Sequence, residues 1–441
     1  MRLPSLSCAV LFCSALKFTV WTAPTIAQSI MAAPDSTGTI IQHNGNTYYI
    51  QGGTQAGANL FHSFQEFGLS TGEIANFLSN PTVNNIFGRV VGGSPSIIDG
   101  LIQANPNLYL MNPAGIVFGA GASLNVGGDF TATTSDRIGF ENGWFNAIGA
   151  NDYAALVGEP NQFAFLQAHP RAILNQGNLQ TEGNLSFVGG SIQNQGQIVS
   201  TGGNITLAAV PGTRLVNLAQ PGMLLSLDLP NTALNQGASL LDLPDLLTGP
   251  VGDVAIAGEV QGEQVDLYAA GIVSPTDADL VQGNTRVVRF TVLGENPDQA
   301  VFIDARADSP EQLLFGAEAG TVSQIIERDE DGVAVISEQL SVISKSVGEL
   351  DSVAIVAEGN EGNFWLGNDW LRAENIGDYA TQLQSWGEAL TTNADILLYS
   401  CFTALGATGE ALVNSIANLT GADVAASVNA TGSSNYGADW L

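Results

Sequence analysis

Residues 173–179 read ILNQGNL, and this pattern returns 19 residues later as IQNQGQI at residues 192–198. Each copy is followed by a second strand-like stretch, at Asn184–Val188 and at Asn204–Ala208. A fainter third copy, at residues 234–237, precedes two more strand-like stretches at residues 254–257 and 264–269. A period near 20 residues with Asn-Gly corners predicts the stacked coils of a parallel β-helix. Periodicity alone leaves a β-sandwich as the alternative.

The repeat texture extends over residues 28–271, with short apolar runs separated by Gly and Asn. At about 20 residues per coil, this length predicts roughly ten to twelve coils, each rising about 4.8 Å. The expected fold class is therefore mainly β, with an N-terminal right-handed parallel β-helix. Leu179 and Ile198 hold the same place in the repeat, so we expect both to point into the interior of successive coils.

The first 27 residues have the pattern of a secretory signal peptide. Arg2 precedes an apolar stretch, Leu6–Leu16, and small residues follow up to Ala27. Cleavage between Ala27 and Gln28 is therefore expected. A transmembrane anchor is not favoured, because Lys17 interrupts an apolar stretch that is already shorter than the roughly 20 residues that a bilayer requires.

Charge excludes one class of function. The chain has 12 Lys and Arg residues against 42 Asp and Glu residues, a formal charge of −30. Nucleic-acid affinity depends on Lys and Arg that neutralise phosphates, so no nucleic-acid partner is expected. An acidic surface that is poor in lysine suits a protein that stays soluble outside the cell.

Residues 28 to about 220 carry four blocks that identify a family. The blocks are GANLFHSF at 57–64, IANFLSNP at 74–81, IFGRV at 86–90 and NPNLYLMNPAGIVFG at 105–119. The region resembles the secretion domain, or haemagglutination-activity domain, of two-partner-secretion exoproteins of the filamentous haemagglutinin type, in its cyanobacterial form. This resemblance implies export through an outer-membrane β-barrel partner that recognises the domain in the periplasm.

The last block makes physical sense as two coil corners. Its expected secretion-motif residues are Asn105, Pro106, Asn107, Leu108, Asn112, Pro113, Ala114, Gly115 and Ile116. The prolines lack an N–H donor and therefore suit corners rather than central strands. Asn105 and Asn112 can form Asx turns, and Gly115 permits a positive φ. Leu108, Leu110, Ile116 and Phe118 are expected to face the core. Well-formed turns explain these residues as readily as direct contact with a transporter.

Other apparent motifs favour ordinary structural roles. Ser70 fits a nucleophile-elbow pattern before a helix-like segment, Glu73–Leu78, but the resemblance places it at a turn. His43 and His62 are expected to be strand residues whose ring nitrogens are satisfied by neighbouring groups, rather than a metal pair. Glu327, Asp329, Asp331, Gly332 and Glu338 imitate the spacing of a calcium loop. Acidic residues at a helix N-terminus explain the same pattern, so we expect neither a metal nor a cofactor.

From residue 299 to 441, short apolar strands alternate with amphipathic helices, which predicts a smaller α/β domain with a mostly parallel sheet. Strands are expected at 301–304, 322–326, 353–356, 396–399 and 423–426, and helices at 333–347, 376–390 and 408–419. Residues 272–298 are interpreted as a linker or as the last coil.

The α/β region resembles a caspase-like domain of unknown function found in large bacterial surface proteins. Its signatures are FID at 302–304, DG at 331–332, LGN at 366–368, ADILLYSC at 394–401 and LTGADVAAS at 419–427. Relatives carry Ser-His-Gly after the strand that ends at Val356, whereas this chain has Glu358 in the position of the histidine and keeps Cys401. Relatives also continue beyond residue 441, so the domain is interpreted as truncated.

Three hypotheses follow for the function. The first is a secreted or surface-associated exoprotein of the adhesin type, whose cell-surface or extracellular-matrix ligand is unknown. The second is a secreted cysteine peptidase that uses Cys401, and the third is a truncated remnant of a longer exoprotein. A thiol nucleophile requires a nearby base, and the chain has no histidine after His169. The first hypothesis is therefore favoured, and no enzymatic activity is expected.

Overall fold

A computed structural model describes residues 29–218, 224–228, 252–291 and 293–431. The expected cleavage site between Ala27 and Gln28 and the third repeat at 234–237 lie outside the described residues. No helix in the described part of the chain is both long enough and apolar enough to span a bilayer. The protein is mainly β, and its N-terminal region is a parallel β-helix followed by a smaller α/β region, as predicted.

Successive coils stack their strands on three faces. Face A comprises Asn59–Glu66, Asn85–Val90, Asn107–Met111, Phe130–Thr133, Leu185–Gly189, Ile205–Ala209 and the second halves of Val260–Ala269 and Val281–Arg289. Face B comprises Thr47–Gly52, Ile74–Phe77, Leu101–Ala104, Ser123–Val126, Asn178–Thr181, Gln197–Ser200 and the first halves of the same two long strands. Face C comprises Ser96–Ile98, Ile116–Phe118, Ile173–Asn175, Ile192–Asn194, Val254–Ile256 and Val273–Pro275.

The coil register follows the sequence repeat. Leu179 pairs with Ile198 on adjacent parallel strands, and both side chains are fully buried, so the predicted inward positions are confirmed. Phe118 and Phe187 stack in the interior of the β-helix, with ring centroids 5.4 Å apart. The interior is thus a column of Leu, Ile, Val and Phe side chains. Its burial stabilises the fold by roughly 1.5–3 kcal/mol per large side chain.

The prediction of ten to twelve coils is wrong, because face A has eight successive strands in the described residues. The chain leaves the stack after Thr133 and returns at Ile173, and it leaves again after Ala209 and returns at Val254. The described parts of these excursions build an antiparallel side sheet rather than coils. Its strands are Arg137–Phe140, Gly143–Asn146, Gln162–Phe165, Arg214–Asn217 and Ser226–Asp228.

The start of the β-helix is covered by antiparallel strands. Met31–Ala32 and Thr54–Ala56 pair with Asn59–Glu66, and Thr39–Asn44 pairs with Thr47–Gly52. The helix-like interpretation of Glu73–Leu78 is also wrong. Ile74–Phe77 is a strand held in parallel between two neighbouring coils, where backbone pairing outweighs a weak local preference.

The α/β region has a five-stranded parallel sheet. Its spatial order is Thr321–Ile326, Gln299–Asp304, Leu350–Val356, Leu390–Tyr399 and Asp423–Ala426. Its helices are Pro310–Gly316, Gly332–Val347, Ala380–Glu388 and Gly406–Thr420. The first of these helices has no counterpart among the predicted elements. A small antiparallel sheet is formed by Gly359–Asn360, Asn363–Leu366 and Asp369–Arg372. Short 3₁₀ turns lie at Tyr153–Ala155, Ala278–Leu280 and Ile376–Tyr379.

The two regions share one sheet. Val273–Pro275 and Val281–Arg289 pair in parallel with the preceding coil, so residues 272–289 carry strands of the stack. The final strand then pairs antiparallel with Thr321–Ile326 of the α/β region through residues 286–288. The α/β region therefore covers part of the open end of the β-helix.

Candidate functional site

The block at 105–119 forms two corners and two strands of one coil. Leu108 and Leu110 lie on face A, and Ile116 and Phe118 lie on face C. All four side chains are at most 1% exposed, which confirms their predicted core positions. Both prolines lie outside the strands, at the corners before Asn107 and after Met111, as expected.

Asn112 closes the second corner. Its Oδ1 accepts a hydrogen bond of 2.9 Å from the backbone N–H of Ala114, which is the predicted Asx turn. Its Nδ2 donates to the Ser96 hydroxyl on the preceding coil at 2.9 Å. Gly115 has a φ of +111°, a conformation that L side chains rarely adopt. The corner is therefore fixed both locally and by the neighbouring coil.

Asn107 belongs to a ladder of amides that crosses coils. Its Nδ2 donates to Asn85 Oδ1 at 2.9 Å, and Asn85 Nδ2 donates in turn to Asn59 Oδ1 at 3.0 Å. Asn59 and Asn85 are at most 1% exposed. Asn107 Oδ1 also accepts from the backbone N–H of Asp129 on the next coil at 2.8 Å. Asn105, in contrast, is exposed at the first corner.

An ion pair between the buried Arg89 and the partly exposed Asp35 was not predicted from the sequence. Arg89, within the IFGRV block, is 3% exposed and lies 2.9 Å from Asp35. Arg89 also donates to the Ser63 hydroxyl and to the Asn146 carbonyl, so it joins the N-terminal cover, face A and the side sheet. Burial by itself raises the pKa of Asp35, but hydrogen bonds from Ser63, Thr37 and Arg89 hold it below its ordinary value. The only sequence signal was an Arg inside the otherwise apolar block IFGRV.

The two strand histidines have different surroundings. His43 is exposed on Thr39–Asn44 and stacks on Tyr48, with ring centroids 4.0 Å apart. His62 is fully buried beside Phe64 and Phe77, and neither ring nitrogen has a hydrogen-bond partner. Burial lowers the pKa of His62 to about 4. The expectation that its neighbours satisfy its nitrogens is therefore wrong for His62.

Glu327, Asp329 and Asp331 lie in the connection before the helix Gly332–Val347, whereas Gly332 and Glu338 lie in that helix and Ser70 lies in a turn. Asp331 precedes the helix Gly332–Val347, and its carboxylate accepts a hydrogen bond of 2.9 Å from the Ala334 N–H. This contact is an N-cap, as the strand-to-helix interpretation expects. Ser70 lies in a turn in which its backbone N–H donates to the Glu73 carboxylate at 2.7 Å.

Glu358 and Cys401 follow adjacent strands of the parallel sheet. Val356 pairs with Tyr399, and each residue of interest lies two positions beyond that pair, at the same edge of the sheet. Glu358 is exposed and Cys401 is half-buried. The Cys401 Sγ is 3.4 Å from the backbone N of Thr431 and 3.6 Å from its carbonyl oxygen. The structure thus places Glu358 and Cys401 after neighbouring strand ends, at the same edge of the sheet.

Comparisons with known proteins match two regions of the chain to family models. Residues 29–242 match the family model of the TPS secretion domain, and residues 300–441 match that of a domain of unknown function, DUF4347. The first match supports a two-partner-secretion exoprotein.

The curated relatives that match the chain do so over short stretches. A heme/hemopexin-binding protein from Haemophilus influenzae strain Rd is 47% identical over 66 residues, 14% of this chain and 7% of the relative. A second heme/hemopexin-binding protein from Haemophilus influenzae is 46% identical over 50 residues, 11% of this chain and 5% of the relative. The chain therefore spans less than a tenth of the length of these curated relatives. The solved HMW1 secretion domain from Haemophilus influenzae has a TM-score of 0.36 and 14% identity, over 85% of this chain and 76% of that one.

Proposed function

We propose that this protein is a secreted or surface-associated exoprotein of the filamentous haemagglutinin type. A partner β-barrel transporter recognises its β-helix in the periplasm and exports it across the outer membrane of a Gram-negative bacterium. The family match over residues 29–242 carries this proposal. The acidic composition, with a formal charge of −30, suits a protein that stays soluble outside the cell.

The coil corners at 105–119 are the proposed recognition feature. Asn112 and Asn107 hold these corners through buried and cross-coil hydrogen bonds, while Asn105 presents an exposed side chain. Deletion of residues 105–119 is expected to abolish surface delivery while the periplasmic precursor stays detectable by immunoblot. Normal secretion of the deletion variant would contradict the proposal.

Point substitutions separate recognition from folding. Asn105→Ala removes an exposed amide and should leave stability unchanged while lowering the secreted fraction. Asn194→Ala provides the matched control, because Asn194 is buried in another amide pair outside the block, with its Oδ1 accepting from Asn175 at 2.8 Å. It should lower stability by about 1–3 kcal/mol and spare recognition. Equal secretion of Asn105→Ala and wild type would remove Asn105 from the recognition feature.

The α/β region is proposed to have no cysteine-peptidase activity. The carboxylate of Glu358 stands where the related sequences carry a histidine, and a negative charge disfavours a nearby thiolate. Cys401 instead acts as a small residue between strand end and loop, with its sulfur near the backbone of Thr431. Secretion is thus the proposed activity of the chain, and the α/β region is exported with the β-helix.

A further inference from the structure

Two strands separate where the coil stack meets the α/β region. Val281–Arg289 pairs with Thr321–Ile326 only through residues 286–288 and 322–324. Before this contact, the chain turns from face B to face A at Gly283, which has a φ of +119°, and the outer edge of residues 281–285 on both sides of that corner pairs with no strand in the described part of the chain. Gln282, Gly283 and Asn284 are exposed there. A strand edge with free backbone donors and acceptors can pair with another chain.

A groove of about 570 Å³ lies beside this edge. We call it the junction groove. One wall is formed by residues 278–285, and the other by the helix Pro310–Gly316 and the end of the strand Thr321–Ile326. Leu314, Phe315 and Ile325 give the second wall its apolar part. The junction groove therefore combines an open strand edge with an apolar wall.

The charges of the junction groove have one sign. Asp279, Glu311, Glu327 and Glu330 line it, and none of its lining residues is Lys or Arg. None of the four carboxylates forms an ion pair among the residues that the structure describes. Burial, with the nearby charges of Glu330 and Asp329, raises the pKa of Glu327. A cationic side chain entering the junction groove would relieve this crowding.

An unmet acceptor lies next to the junction groove. Gln324 is 2% exposed, and its Nε2 donates to Oδ1 of the groove residue Asn284 at 3.0 Å. Its Oε1 has no hydrogen-bond partner. A buried acceptor without a partner costs about 1–3 kcal/mol. A donor from a bound chain would remove that cost at the point where the two strands separate.

We propose that the junction groove binds an extended segment of another protein, which adds a strand to residues 281–285 and carries Lys or Arg at alternate positions. An extended chain points successive side chains to opposite faces, so one set would meet the carboxylates and the other the apolar wall. Another protein is the proposed source because this chain has only 12 Lys and Arg residues against 42 acidic ones.

The test uses a fluorescent nine-residue peptide of alternating Lys and Val, measured by anisotropy against the full mature chain at about 0.15 M salt, where exposed charges are screened. We expect saturable binding that the triple variant Glu311→Gln, Glu327→Gln, Glu330→Gln weakens at least about tenfold, a change of about 1.4 kcal/mol. Glu141→Gln, Glu182→Gln, Glu388→Gln is the matched control, because it changes the net charge equally at exposed sites elsewhere. This control should bind the peptide like wild type.

A second peptide, N-methylated at alternate residues, keeps the charge but cannot pair as a strand, and it should bind at least about tenfold more weakly. Three results would overturn the proposal. They are no binding up to about 1 mM peptide, equal weakening in both triple variants, and equal affinity for the methylated peptide or for the diamine cadaverine. Dimerisation of the chain that the Glu311, Glu327, Glu330 variant abolishes would instead assign the junction groove to a second copy.

Discussion

At position 62 a histidine lies inside an aromatic cluster without a hydrogen bond to either nitrogen. Burial lowers its pKa to about 4, compared with an ordinary value of 6.5. In the unfolded chain His62 therefore becomes protonated below about pH 6.5, whereas in the folded chain it becomes protonated only near pH 4. The stability contributed by the neutral ring is complete above the first value and is lost as the pH falls towards the second.

This linkage gives a prediction for pH. Between about pH 6.5 and 4, the free energy of unfolding should fall by up to about 1.4 kcal/mol per pH unit because of His62. The His62→Leu variant should lack this component in urea titrations at several pH values. His43→Ala, at an exposed site, should retain it. Parallel pH profiles for wild type and His62→Leu would show that the ring is not buried in its neutral form.

At position 401 the prediction concerns reactivity. The purified protein should neither cleave unfolded substrates nor react quickly with an electrophilic thiol probe. The reason is that the chain has no histidine after His169 to act as a base for the Cys401 thiol. Glu358→His places an imidazole after the strand next to that of Cys401 and tests whether these two strand ends can support a cysteine–histidine pair. Turnover by wild type that disappears in Cys401→Ser would contradict the account.

At the scale of the element, stability depends on the stacking of coils. Leu179→Ala or Ile198→Ala should each cost about 2–5 kcal/mol, because each deletes a fully buried side chain from adjacent coils. Val199→Ala is the control, since Val199 alternates with Ile198 and is only partly buried. Denaturant unfolding would measure these differences. A cost below about 0.5 kcal/mol for Ile198→Ala would contradict the assigned register.

The sequence predicted the coil and its corners because both are local. The shared place of Leu179 and Ile198 in the repeat identified both as inward residues, and the Asx turn at Asn112 needs only residues up to Ala114. The amide ladder was not predictable in the same way. Its rungs join Asn59, Asn85 and Asn107, which are 26 and 22 residues apart, and only the stacking of coils shows that they meet.

Longer-range pairing explains the errors. The excursions after Thr133 and Ala209 form strands that resemble coil strands in composition, so the repeat length alone overestimated the number of coils. The helix-like segment Glu73–Leu78 is short, so its weak helical preference is outweighed by strand pairing with two neighbouring coils. In the α/β region, amphipathic spacing sufficed for the helix Gly332–Val347, whose inward residues include Ile336 and Leu340.

At the scale of the whole molecule, one sheet runs through both regions, and Arg286 lies at the junction. Arg286 is on the last coil strand, 2.9 Å from Asp266 of the preceding coil, and it donates to Gln339 of the helix Gly332–Val347 at 2.9 Å. The side chains of the ion pair are 8% and 14% exposed. We therefore expect the β-helix and the α/β region to unfold together.

Calorimetry can test this coupling. Wild type should show a single transition, and Arg286→Ala should cost about 3 kcal/mol or more, because it leaves Asp266 unpaired and removes a contact between the regions. Arg137→Ala, at an exposed position on the side sheet, should change stability by less than about 0.5 kcal/mol. Two separate transitions in wild type would show that the shared sheet does not couple the regions.

Export by a partner barrel is the central claim, and one measurement tests it most directly. The full chain, residues 1–441, is expressed in a Gram-negative host with and without the partner transporter, and the fractions at the cell surface, in the medium and in the periplasm are quantified. The account predicts surface or medium delivery only when the transporter is present, and a periplasmic precursor when it is absent. Equal delivery without the transporter would contradict it.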